Sequence, residues 1–520
     1  MAERLGSKFD GALDGVTRRT LMKMAAAGLA ASAMPYQALA QAAMGGGVLR
    51  VAAANNPSSL DPHTGRSGFD HAMLYPLYDT LFDFDYDTLK AIPGIVKEWS
   101  FASPTQLVMV LNEGVTFHDG TPCDAAAVKY NLERAINDPR TNVKSDLAAI
   151  DTVEAGDNTV TANLKYPNSA IVLILSDRPG MMVSPAALEQ HGKASDRNPV
   201  GAGPWKFVSW TDNSSVVVTR NENYWREQPA LDGIEFNVIP ERNTGLRSVV
   251  AGENDLVYQL SQQQKPVVER APNLDLVEGP TLFTNMLYFN LSRETIGKLK
   301  VRQAMNYAIN REAFNAITQD GEPARTCLPT SHWAYNPEIS NTYPYDPDRS
   351  KALLAEAGYP NGFDLEAWGW NDQKAIQRQE ILIEQFGQVG IRTNFSTASV
   401  SDSTSQFMGE KKGDVYLGAF TGRPDPSQIF HRIFDQESFL NPGHLDLAEG
   451  RADLQRETEA AQEEDARREA FYKLQMVISE AALFLPLTIT YDVTAFDKKV
   501  HGFRGNLTGK PKFTEVALAS

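Results

Sequence analysis

Short runs rich in β-branched and apolar residues, each bounded by turn-forming residues, fall at 48–54, 106–111, 159–165, 215–220 and 234–239 and predict strands. Between them the apolar spacing changes to that of helices. Asp124 is placed to cap a helix running to about 137, in which Val128, Leu132, Ala135 and Ile136 recur on one side. The pattern predicts a helix over 301–318, and two more over 346–357 and 373–389 that stop at Gly358 and Gly390. A long charged helix is expected over 451–479, with Phe471, Leu474, Val477 and Ile478 on its apolar side and Glu/Arg pairs facing water. The run 281–291 is almost wholly apolar, and 481–487 reads as a buried strand or a helix end leading into one. Strands and helices interleave without an internal repeat, so the fold class is α/β in the sense of mixed α+β. A boundary is expected at Pro280, where turn-rich acidic sequence gives way to the apolar run.

The first 40 residues follow a different pattern. Arg18 and Arg19 precede an alanine-rich apolar stretch at 24–34, too short to span a bilayer as a helix, and Ala38-Leu39-Ala40 offers a small-x-small cleavage site. Thr17-Arg18-Arg19-Thr20-Leu21-Met22-Lys23 resembles a twin-arginine export signal. Cleavage after Ala40 would leave a chain starting at Gln41, with no cysteine there to take a lipid, and so a soluble periplasmic product. Beyond residue 40 no apolar run approaches the roughly 18 residues of a spanning helix.

Composition narrows the classes. The 520 residues carry 49 basic and 65 acidic side chains, a net charge of −16, and 42% are apolar. That apolar fraction supports a real core, and the acidic balance argues against nucleic acid as a partner. The presumed signal holds five basic and three acidic residues, so its loss takes the charge to −18. Two cysteines, Cys123 and Cys327, exclude a disulfide framework and a four-cysteine zinc site. There is no Walker loop, nucleophile elbow or His-Glu-x-x-His, and the eight histidines are scattered, so no cofactor, metal site or catalytic set is expected.

Five segments, in order, carry a family resemblance: Leu60-Asp61-Pro62-His63; Gly114 to Pro122 (Gly-Val-Thr-Phe-His-Asp-Gly-Thr-Pro); Val200 to Phe207 (Val-Gly-Ala-Gly-Pro-Trp-Lys-Phe), followed by Asn221 to Trp225; Phe289-Asn290 followed by Val301 to Ile309; and Tyr345-Asp346-Pro347 through Phe363. Together they resemble the extracytoplasmic solute-binding proteins of the dipeptide, oligopeptide and nickel ABC importers, known as family 5. Read physically, most of these motifs are scaffold: glycines for close backbone approach, a fixed proline, and a turn feeding a helix, so His118 and Asp119 are expected to be structural.

The resemblance implies two lobes joined by a hinge and closing on a ligand. Lobe one would comprise 41–280 with an extra subdomain near 86–195, lobe two 281–487, and 488–520 would return to lobe one. It implies a binding protein, not an enzyme, that is monomeric and hands a peptide or peptide-like solute, including an anionic opine-type one, to ABC permease subunits. A metal chelate or an oligosaccharide is the alternative within the family, and a secreted hydrolase or chaperone-like protein the alternative outside it. Specificity is expected in the loop Gly422-Arg423-Pro424-Asp425-Pro426. Dipeptide binders of the family place an ammonium-binding aspartate near the position that Arg423 holds here. An arginine fork suits a carboxylate instead. Arg423 and Asp425 either face ligand or pair with each other. Trp368 and Trp370, two apart on an extended run, share a face that is either cleft or core. Trp333, with Tyr335 beside it, and Tyr491 are further candidates. So are Arg66, Ser67 and Phe69 on the loop from lobe one.

Overall fold

Two long antiparallel strands, Leu274–Phe289 and Phe484–Asp497, run through the middle of an 11-stranded sheet in the computed structural model. Residues 44–65 and 67–519 are described, so the expectations for Arg18, Arg19, Ala38, Ala40 and Arg66 lie outside the described residues. The two strands pair from Leu274 opposite Asp497 to Tyr288 opposite Phe484, and they change company half-way. Their Phe289/Phe484 end is flanked by Val415–Thr421, which pairs with Phe283 to Phe289, and then by the parallel strands Phe363–Trp370 and Ile391–Ala398. Their other end is flanked by Leu256–Leu260, Val48–Ala53, Gly233–Val238, Ser215–Arg220 and Trp205–Thr211. The apolar run read at 281–291 is therefore buried on both faces, as strands covered on both sides require.

Pro280 falls inside the first long strand, not between elements. The register shifts there: the five residues from Pro280 to Thr284 face the three from Tyr491 to Ile489. Proline supplies no N–H to a ladder, so a bulge is where a central strand tolerates it.

A separate four-stranded sheet, Val96–Ser103, Gln106–Leu111, Thr159–Leu164 and Ile150–Ala155 in spatial order, packs on the helix Ala125–Asn137, whose N-terminus Asp124 caps by accepting from Ala127 N. Its core, from Leu81 to Ala202, is distinct from the one built on 49–78 and 181–258 and from the one built chiefly on 282–487. Cys123 and Cys327 are free thiols buried in different cores.

The expected scaffold motifs do scaffold work. A Cβ on Gly201 would sit 2.0 Å from Leu77 O, so only glycine fits where the backbones cross. His118 Nδ1 accepts from Gly201 N at 3.3 Å and its Nε2 donates to Gly203 O at 3.0 Å. Burial pulls this imidazole down to about 4, which keeps it neutral in that role.

Two helices expected to be continuous are broken. The stretch 301–318 is two helices, Leu299–Tyr307 and Arg311–Thr318, because Asn310 leaves helical geometry to cap the second through Ala313 N. The stretch 451–479 divides into Arg451–Ala460 and Glu464–Glu480. The break frees the carbonyls of Thr458, which accepts from Arg467 Nε at 2.7 Å, and of Ala461, which accepts from Ser169 Oγ at 2.6 Å. Tertiary hydrogen bonds outweigh the apolar period at that point.

Beside the bulge, Asp320 is buried against Arg378 (2.7 and 3.0 Å), Lys374 (2.9 Å) and the Thr488 hydroxyl. Burial would raise its pKa, but the two cations overcome this and hold the carboxyl at about 2, below its ordinary 3.8. The unfolded chain thus binds this proton more readily than the folded one, and the pair contributes about 2 kcal/mol near neutrality. That contribution should be present above about pH 4 and lost as pH falls toward 2. Urea unfolding across that window should show the loss in the native protein and a flatter profile in Asp320→Asn. Equal slopes would assign the acid sensitivity to other carboxylates.

Candidate ligand-binding site

The strand Val415–Thr421 ends in the loop singled out from the sequence. Gly422 N donates to Leu282 O at 2.8 Å, and a Cβ at Gly422 would lie 2.0 Å from Leu282 Cβ, so the loop leaves the sheet only because this residue is glycine. Asp425, fully buried, caps the helix Pro426–Phe434: its carboxylate accepts from Ser427 N (2.9 Å), Ser427 Oγ (2.6 Å) and Arg467 Nη2 (2.7 Å). Asp425 is thus paired with Arg467 and not with Arg423. Arg423 is half-buried, makes no hydrogen bond or ion pair among the described residues, and has a buried Nε without a partner.

Within reach of the Arg423 charge lies a cluster drawn from the helix His71–Leu77, the turn at 177–178 and the C-terminal segment. Asp177 meets His71 Nε2 at 2.6 Å and Lys510 Nζ at 3.1 Å, while His71 Nδ1 donates to Gly68 O at 2.8 Å. Burial would raise Asp177, but His71 and Lys510 overcome this and hold it well below the usual carboxylate range. Lys510 is itself pulled down to about 8 by burial, against the opposing pull of Asp177. Two residues on, Lys512 pairs with Asp83 at 2.5 Å and lies 4.1 Å from the Phe84 ring and 4.6 Å from the Tyr75 ring. Arg178 points all its donors at carbonyls, those of Pro62 (2.7 Å), Gly65 (2.5 Å) and Ser67 (3.3 Å), and so shapes the 58–69 loop. Lys510 and Lys512 offset Asp177 and Asp83. Arg178 is held by backbone carbonyls, and Arg423 has no hydrogen-bond partner among the described residues, its charge reaching Lys510 and, more weakly, Arg178, Asp177 and Tyr75. An arginine without a partner beside matched ion pairs is chemically suited to an anion, because nearby desolvated charge outweighs a distant surface.

The other sequence candidates sit on several different elements. Trp368 and Trp370 do share a face and are half-buried, and Trp370 Nε1 is already donated to Tyr416 Oη. Gly369 pairs with Leu417, six residues before Arg423 and four before the strand ends at Thr421. Tyr491 lies on the second long strand near the bulge and donates to Glu322 at 3.2 Å; burial and that carboxylate push it up to about 12. Trp333 packs edge-on to Phe471 and 5.9 Å from the Arg467 guanidinium, behind the Asp425 pair. Ser67 and Phe69 are close to the cluster through Arg178: Ser67 Oγ accepts from Phe69 N at 3.1 Å, and the Phe69 ring is exposed.

Sequence reasoning missed Tyr75, His71, Asp177 and Lys510. The only local hint was a charged Asp177-Arg178 pair following the apolar run 171–175. Nothing local links it to a lysine at 510.

Among the described residues no three His, Cys, Asp or Glu side chains converge as metal ligands, and no helix is long and apolar enough to cross a membrane. Residues 90–440 match the family model described as bacterial extracellular solute-binding proteins, family 5 Middle. The chain belongs to that family. As a family 5 protein it is the substrate-binding component of an ABC importer. It is 30% identical to the glutathione-binding protein GsiB of Salmonella paratyphi A, over 92% of this chain and 95% of that one. Its fold matches that of DppA from Helicobacter pylori, solved with the peptide STSA (TM-score 0.81, 22% identity, 93% of this chain and 100% of that one). It also matches AgaA from Agrobacterium tumefaciens R10, solved with agropinic acid (TM-score 0.78, 21% identity, 91% and 99%). These likenesses show the two-lobed periplasmic-binding-protein fold.

Proposed function

We propose that this family 5 protein is a soluble, monomeric periplasmic receptor for a carboxylate-bearing peptide-like solute, such as an opine or an amino-acid conjugate, which it binds without turnover and delivers to ABC permease subunits. The observation that carries the reading is the unpaired Arg423 guanidinium near a cluster in which Lys510 and Lys512 already match Asp177 and Asp83 and Arg178 is held by backbone carbonyls. The proposed lobes are 41–280, with the subdomain near 86–195, and 281–487, with 488–520 returning to the first. Arg423 then comes from lobe two, while His71, Tyr75, Asp177 and Lys510 come from lobe one. Relatives whose names or solved complexes carry glutathione, a tetrapeptide or agropinic acid support a solute of this chemistry. A ligand touching both lobes favours the closed state because only that state makes both sets of contacts.

Native mass spectrometry of the protein taken from its own periplasm tests this. A retained small molecule bearing a carboxylate is expected, and solution scattering should show the protein compacting when stripped protein is resaturated with it. A retained neutral sugar, or identical scattering with and without the solute, would overturn the reading.

A further inference from the structure

Arg423 is not the only unmatched polar group at this place. The Tyr75 hydroxyl is buried without a hydrogen-bond partner, on a residue only 7% exposed. Tyr75 sits on the short buried helix His71–Leu77, one turn after His71, whose ring lies 5.7 Å away. Backbone hydrogen bonds join the base of the Arg423 loop to the segment that passes Tyr75: Gly422 N to Leu282 O at 2.8 Å, then Leu282 N to Leu507 O at 2.7 Å. Leu507 opens the return segment on which Lys510 reaches Asp177 and Lys512 lies over the Tyr75 ring. The Arg423 charge is also the weakest of the charges that act on the Tyr75 phenol. A buried hydroxyl with no partner is costly, and in native proteins such orphans call for an explanation, a missing ligand among them.

We propose that the Tyr75 hydroxyl and the Arg423 guanidinium, orphan donors on opposite lobes, together hold one carboxylate of the solute and so tie its recognition to lobe closure. This rests on the anionic-solute reading given above and adds a second contact residue to it. The chemistry is matched: a carboxylate offers two oxygens, enough for a charged N–H donor from one side and a neutral O–H donor from the other. Burial raises Tyr75 well above the ordinary tyrosine range, with Asp177 and Asp83 adding to it, so the phenol keeps its proton and remains a donor. Those two carboxylates do not repel the ligand's, because Lys510 and Lys512 already match them.

The test uses the whole mature chain carrying 13Cζ-labelled tyrosine, titrated with sodium acetate at constant ionic strength, with acetamide as the neutral isostere. The Tyr75 resonance is the one missing from Tyr75→Phe. A saturable shift of that resonance with acetate, absent with acetamide and at least about ten-fold weaker in Arg423→Gln, is expected. A response confined to other tyrosines and lost in Arg423→Gln would leave Arg423 as the carboxylate reader and overturn the role of Tyr75. A Tyr75 response equal for acetate and acetamide, or unchanged in Arg423→Gln, would overturn the clamp. So would no response at all, while a carboxylate-bearing molecule retained from the periplasm would still uphold the wider reading.

Discussion

Arg423→Ala should weaken binding of the anionic solute by about 1.5–3 kcal/mol, roughly 10- to 150-fold in Kd, the scale of a hydrogen bond to a charged group. The protein's own stability should barely change. Arg423 gives no hydrogen bond to another described residue, so its removal leaves no partner stranded. Removing it also takes a positive charge away from Arg178 and Lys510, whose protonated forms it opposes. Arg423→Lys should fall between, since the charge remains but the planar fork is lost. Calorimetric titration with the retained solute, alongside urea unfolding of each variant, separates the two effects. A Kd unchanged in Arg423→Ala would remove Arg423 from the site, and a matching loss of stability would make it a structural residue instead.

A single arginine can matter this much in a chain of net charge −16 because field strength at a site depends on what is near and desolvated. The acidic surface faces water and its counter-ions. Near Arg423, Lys510 and Lys512 cancel Asp177 and Asp83 at 3.1 and 2.5 Å, and no described residue pairs with Arg423 itself.

What the sequence made legible follows the range of the interactions involved. The helix capped by Asp124 and the strand at 106–111 were readable because caps and periods act within a few residues. The break at 461–463 was not, since it is set by Arg467 and by Ser169, the latter nearly 300 positions away. The same contrast divides the site. Arg423 stood out as a charged residue in a loop where the family resemblance leads one to expect an aspartate. Its counterpart cluster is assembled from positions 71, 75, 177 and 510, which no local pattern connects. Trp368 and Trp370 show the limit of a local pattern: the strand period puts them on one face, but a period does not say what that face looks at. Asp425 was readable as part of the loop, whereas its partner, 42 residues further on, was not.

Asp425→Ala should therefore act on folding more than on ligand, with a loss of about 3–5 kcal/mol in unfolding free energy, the range for breaking one side of a buried ion pair. Two costs combine. The helix Pro426–Phe434 loses the cap that satisfies Ser427 N, worth about 1 kcal/mol by itself. Arg467, only 8% exposed, keeps its hydrogen bond to Thr458 O but is left with a buried charge beside Trp333 and Phe471. Asp425→Asn should cost less, because the amide oxygen still caps the helix while the charge is lost. Combining it with Arg467→Met should recover part of the loss, since the stranded cation is then gone. Urea unfolding of the four proteins measures this directly, and solute affinity at low temperature, where each remains folded, should change little. If Asp425→Asn instead abolished binding while its unfolding curve stayed in place, Asp425 would be a ligand contact, and the cleft would hold a cationic group of the solute as well as its carboxylate.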